Sequence, residues 1–130
     1  MTAVVIGIGF RAAASSSSII DVIDTARRAA APHQPSALAT AADKADHSGL
    51  REAATATVLP VLPIDAAALD QAAARITTSS PVVAQHRGVG SVCEAAALAA
   101  AGPTARLIVS RLISQDRLAT AAVAIEEPQP

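Results

Sequence analysis

The sequence predicts an α/β fold: a three-layer α/β/α sandwich with a mostly parallel sheet of about five or six strands and helices on both faces. Three observations lead there. The chain opens on residues 3–8, a continuously apolar, β-branched run of strand length, the pattern of a strand covered on both faces. Similar short apolar runs then alternate with stretches of helical spacing in the order βαβαβα, followed by a helix and two strands. Finally, 130 residues make one ordinary domain, here residues 1–125 with a disordered acidic and proline-containing tail at 126–130.

After the first strand, Gly7 and Gly9 punctuate the chain, so a glycine turn is expected at Gly7-Ile8-Gly9-Phe10-Arg11. The serine run 15–18 then supplies N-cap candidates for a helix reaching about Ala30, with Ile19, Ile20, Ile23, Ala26 and Ala30 at helical spacing. Residues 32–36 form a turn, and 37–41 are read as a second strand from position more than propensity. A polar connection at 43–49 leads to a short helix at 50–57. Residues 58–64 form an edge-type strand, because Pro60 and Pro63 cannot donate to a sheet ladder. Asp65 caps a helix over 66–75, with Leu69, Ala72, Ala73 and Ile76 on one face, ended by a turn at 77–81. Ser91 caps the next helix, 92–100, and Glu94 completes a capping box. Residues 105–109 and 120–125 are the last strands.

Composition excludes several classes of function. Of the hydrophobic residues, which make up 52% of the chain, 34 are Ala, so large-residue burial must come from Val, Ile and Leu. Phe10 is the only aromatic, which removes the stacking platform that single-stranded nucleic acid needs. Ten Lys and Arg nearly balance eleven Asp and Glu, so no net field favours DNA or an anionic membrane, and any recognition of an anion must be local. One cysteine makes no internal disulfide, no run approaches membrane-spanning length, and the start has no basic signal region. A cytoplasmic protein with neither nucleic acid nor membrane as partner is expected, with no cofactor and no metal.

Three segments carry candidate chemistry. Gly7-Ile8-Gly9-Phe10-Arg11 stands where an α/β sheet receives ligands, and Arg11 suits a carboxylate or phosphate. A dinucleotide fingerprint would need glycine where Ala12 stands, and a P-loop lysine is missing, so nucleotide binding is disfavoured. Gly88-Val89-Gly90-Ser91-Val92-Cys93-Glu94 is a second glycine turn feeding a capped helix. Cys93 with His86 admits a nucleophilic reading, but packing is the simpler role for a cysteine in a helix of small residues. Asp43-Lys44-Ala45-Asp46-His47 lacks any diagnostic metal spacing and reads as a solvated loop. His33 and His86 receive no role.

Taken in order and spacing, Gly7-Ile8-Gly9-Phe10-Arg11, residues 38–46 and residues 88–97 resemble the CobE family, also found as the C-terminal domain of CbiG. The closing Ala122-Val123-Ala124-Ile125 resembles that family's final strand. Four positions depart from the family's habit: Phe10 replaces a Cys-like residue, Ala12 a basic one, His47 an acidic one and Arg111 a Lys. The resemblance implies cobalamin biosynthesis and binding of a precorrin or hydrogenobyrinic-acid-like tetrapyrrole, with other enzymes of the pathway as further partners. Precorrins carry many carboxylates, which an Arg beside helix N-termini recognises without net positive charge. The ligand-facing residues expected are Gly7, Gly9, Phe10, Arg11, Ser15, Lys44, Gly90, Ser91 and Arg111, with Phe10 as apolar wall and Glu94 as candidate acid.

The leading expectation is a non-catalytic tetrapyrrole-binding protein. The alternatives are a hydrolase or lactonase acting on a precorrin, and a small nucleotide-binding regulatory module.

Overall fold

The structure, a computed structural model, describes residues 3–79 and 92–126. Strand β1 (Val4–Phe10) is followed by helix α1 (Ser16–Ala30), strand β2 (Ala37–Ala41), a 3-10 turn (Ala42–Lys44) and helix α2 (Ser48–Thr57). Strand β3 (Val61–Ile64), helices α3 (Ala66–Ser79) and α4 (Val92–Ala101), and strands β4 (Arg106–Ile113) and β5 (Ala119–Ile125) complete the described chain.

The sheet order is β3-β2-β1-β5-β4. β1 pairs in parallel with β2, and β2 with β3, whereas β5 runs antiparallel to both β1 and β4. Four of the five strands therefore point the same way, and β5 alone is reversed between β1 and β4. β3 is an edge strand, as its prolines require: Pro63 stands opposite Thr40 on the ladder, with no further strand beyond it to need its missing N–H. It is shorter than residues 58–64 because α2 ends on Val58, held in left-handed backbone with φ 59° and ψ 43°.

One face of the sheet is covered by α1 and α2. Their apolar stripe of Ile19, Val22, Ile23 and Leu50 meets Ile6, Ile8, Leu38 and Val123, all fully or almost fully buried. The serine run acts as the cap expected of it: the Ser15 hydroxyl accepts the Ser18 backbone N–H at 3.4 Å. At the far end of α2, the Arg27 guanidinium donates to the Thr57 carbonyl at 2.7 Å, satisfying a backbone group the helix leaves open.

The other face is covered by α3 and α4 and is built mainly from small residues, with Ala39, Ala95, Ala96, Ala97, Ala101 and Ala124 beside Val5, Ile64, Ile76 and Leu98. Here the structure corrects the expected turn at Gly7-Ile8-Gly9. Both glycines lie inside β1, two apart and therefore on one face, and that face is the one beneath α4. A Cβ at Gly7 would stand 1.8 Å from the Cys93 carbonyl oxygen and 2.7 Å from the Ala97 amide nitrogen. Glycine is required there by the approach of a helix backbone, not by a bend in the chain.

The far ends of the chain meet. β1 and β5 are paired along their whole length, and just beyond them Glu126 donates its backbone N–H to the Ala3 carbonyl at 2.9 Å. Glu126 is thus bonded to the sheet rather than part of a disordered tail, while residues 127–130 lie outside the described residues. No described helix is long and apolar enough to cross a membrane.

Candidate functional site

A cleft of about 540 Å³ opens at the carboxyl ends of β1, β2 and β4, where the sheet order switches from β2 on one side of β1 to β5 on the other. Ligands of open α/β sheets bind at this position, since neighbouring connections leave the sheet in opposite directions and part the loops above it. The volume falls in the usual range for small-molecule pockets.

Its walls come from four strands, the turns beside them and one helix. Gly9, Phe10 and Arg11 arrive from the end of β1, Thr40, Ala41, Asp43 and Lys44 from the end of β2, and Val92 from the first turn of α4. Arg111, Ile113, Arg117, Leu118 and Thr120 come from β4, β5 and the turn between them. The Arg11 backbone N–H donates to the Leu118 carbonyl at 2.9 Å, which stitches the end of β1 to that turn. The two hydroxyls of the floor are already committed: Thr40 donates to the Ile8 carbonyl at 2.8 Å and Thr120 to the Gly9 carbonyl at 3.3 Å.

Charge is distributed very unevenly. The whole chain carries a net charge of −1, yet Arg11, Lys44, Arg111 and Arg117 line the cleft against one carboxylate, Asp43. Among the described residues none of these four side chains makes an ion pair. Lys44 instead sits over the Phe10 ring at 5.5 Å from its centroid, a weak cation–π contact. Phe10 also packs at 4.7 Å against His47, whose Nδ1 accepts the Gly49 N–H and whose Nε2 is 3.0 Å from the Ala12 carbonyl. With Nδ1 accepting, Nε2 carries the proton and donates it. His47 thereby caps α2 and braces Phe10 as a wall of the cleft.

The residues singled out from the sequence divide accordingly. Gly9, Phe10, Arg11, Lys44 and Arg111 meet at the cleft. Gly7 lies under α4, and Ser15 is spent on capping α1, so neither lines it. Gly88, Gly90, Ser91 and His86 lie outside the described residues. Glu94 is buried, with its Oε2 accepting the Arg111 backbone N–H at 3.4 Å, an anchoring role on β4. Cys93 is fully buried against β1, and burial pushes its thiol up to about 11, which removes it as a nucleophile near neutral pH.

Arg117, Thr40 and Thr120 were not anticipated. Arg117 sits in Ser114-Gln115-Asp116-Arg117, a polar stretch between two apolar runs that marks a hairpin turn. The β4–β5 pairing that would have located it at the cleft is a long-range fact.

Comparison with known proteins agrees with this architecture. The family model for the cobalamin synthesis G C-terminus matches residues 4–124. The crystal structure of cobalamin biosynthesis protein chiG from Agrobacterium tumefaciens is similar at a TM-score of 0.75 and 40% identity, covering 96% of this chain and 99% of that one. That of CobE, a protein from the cobalamin biosynthetic pathway, is similar at a TM-score of 0.78 and 28% identity, covering 99% of this chain and 94% of that one. No curated protein matches. The chain belongs to the family of the cobalamin synthesis G C-terminus, and is a cobalamin biosynthesis protein of the CbiG and CobE kind.

Proposed function

We propose that the cleft binds a polycarboxylate tetrapyrrole intermediate of cobalamin biosynthesis, of precorrin type, and holds it without reacting with it. The observation that carries this reading is the convergence of four cationic side chains, none ion-paired among the described residues, on one cleft of a chain with no net positive charge. Like charges gathered this way repel, and a ligand bearing several carboxylates relieves that repulsion. The first turn of α4 adds partial positive charge at Val92. Phe10, Ile113 and Leu118 offer apolar surface beside the cations, as a macrocycle fringed with carboxylates requires. A cytoplasmic setting accords with the free buried cysteine.

The case for binding over hydrolysis rests on the described lining: its one carboxylate is exposed Asp43, while Glu94 and Cys93 are buried in α4 and do not line it. Titration of the protein with hydrogenobyrinic acid and earlier precorrins should change their visible spectra, with affinity falling as salt rises and about tenfold weaker binding in Arg11→Ala. Product analysis of the same mixtures should return the ligand unchanged. Absence of a spectral change with every ligand overturns the reading, and a released product assigns hydrolysis instead.

A further inference from the structure

The turn between β4 and β5 holds a residue in an unfavourable conformation. Arg117 has φ 66°, in the left-handed region where a Cβ meets the neighbouring carbonyl and where glycine, asparagine or aspartate is the usual occupant. Such a conformation persists only where the surroundings over-determine it.

They do so here. The Arg117 N–H donates to the Ser114 carbonyl at 2.9 Å, the Ser114 hydroxyl donates to Asp116 Oδ1 at 2.6 Å, and Asp116 Oδ1 accepts the Leu118 N–H at 3.0 Å. The Ser18 hydroxyl of α1 donates to Asp116 Oδ2, and Asp21 of the same helix accepts the Gln115 N–H at 3.1 Å. The turn is therefore fastened both to itself and to the body of the fold. The side chain that all this holds in place makes no hydrogen bond or ion pair among the described residues, and it lines the cleft.

We infer that this hairpin turn is one of two jaws of the cleft, and that Arg117 is held in left-handed backbone to grip a carboxylate on the opposite side of the ligand from the one met by Lys44. The inference rests on the proposed anion-binding role of the cleft. It adds a requirement on the ligand. Lys44 follows β2 and Arg117 lies in the turn joining β4 to β5, two to three strand spacings away across β1, or about 10–14 Å of backbone separation at roughly 4.8 Å per step. A ligand with carboxylates on one side only satisfies one jaw. A ring carrying them around its rim satisfies both.

The test uses uroporphyrin, a ring with carboxylates all around its rim, titrated into wild type, Arg117→Gly, Lys44→Ala and the double variant, with thermal melts of each protein. Glycine removes the guanidinium and suits the left-handed backbone, so this variant separates the two roles of the position. Arg117→Gly should melt at or above the wild-type temperature yet bind about tenfold more weakly. Lys44→Ala should weaken binding by a similar factor. The two losses should multiply in the double variant, as they do for groups that hold separate carboxylates. Undiminished binding by Arg117→Gly while Lys44→Ala is impaired overturns the second jaw and leaves the site standing. A double variant no weaker than either single one places both cations on a single carboxylate and overturns the two-sided grip. Failure of wild type to bind uroporphyrin as well as the precorrins removes the binding reading itself.

Discussion

The two faces of this sheet solve the same packing problem in opposite ways. Beneath α1 and α2 the contact is made by side chains: Ile6, Ile8 and Leu38 stand up from the sheet to meet Ile19, Ile23 and Leu50. Beneath α4 the side chains are nearly abolished, and Gly7 lets the helix backbone come down onto the strand itself. An alanine-rich sequence is thus not a poorly packed one. It fills the interior by moving backbones together, which keeps density high with little side-chain volume. The difference also places chemistry, since the close approach of α4 lowers its first turn to the rim of the cleft and seats Glu94 behind Arg111.

The comparison breaks most readily at Gly7. Gly7→Ala should lose ~3 kcal/mol or more, read as a fall in the urea midpoint, because the added methyl meets backbone that cannot step aside. Gly9→Ala should lose less, since the first atom met there is the Thr120 hydroxyl, 2.8 Å away on a side chain able to rotate. Equal losses at the two glycines would mean that α4 does not rest on β1 as closely as described.

A comparable loss on the other face needs the opposite operation, a deletion. Ile23→Ala, emptying a fully buried site, should cost about 3 kcal/mol in the same measurement through lost burial and a residual cavity. A cost near zero would show that α1 settles inward as α4 already has, and would erase the distinction between the faces.

The smallest effect is electrostatic. Cys93 is raised from its ordinary value of 9.0 to about 11, chiefly by its burial between α4 and β1. A raised value means the folded protein keeps its thiol proton after the unfolded chain has lost its own. The contribution is therefore complete below pH 9.0 and lost as pH rises through about 11. Stability should drop by about 1 kcal/mol by pH 10 relative to a Cys93→Ala reference. Thiol reagent at pH 8 should label the protein only as it unfolds. Rapid labelling of the native protein would show that the close face is open to solvent.

Local signals in the sequence were sufficient for the elements. The Ser15 cap, the α1 stripe, the proline-marked edge strand and the Asp65 cap are set by residues within a few positions of one another. The role of the glycines was not legible as a turn, although their spacing of two carried the right information: alternate residues of a strand share a face. Part of the cleft was visible as Gly9, Phe10, Arg11, Lys44 and Arg111. Arg117 stayed hidden because only the insertion of β5 between β1 and β4 carries its turn to the end of β1. Strand order depends on contacts between distant residues, which no local pattern encodes.

That insertion has a consequence in time. The pair at the middle of the sheet, from Val4 opposite Ile125 to Phe10 opposite Ala119, joins the first strand of the described chain to the last. On a ribosome, β1 emerges long before its central partner, and until β5 arrives it keeps one unpaired edge. Closing so long a loop is entropically slow and is rewarded only at the end. The cleft, walled on one side by Thr40 to Lys44 at the end of β2 and on the other by the β4–β5 turn, comes into being in that last step, so a nascent chain has no site to occupy until its folding is complete.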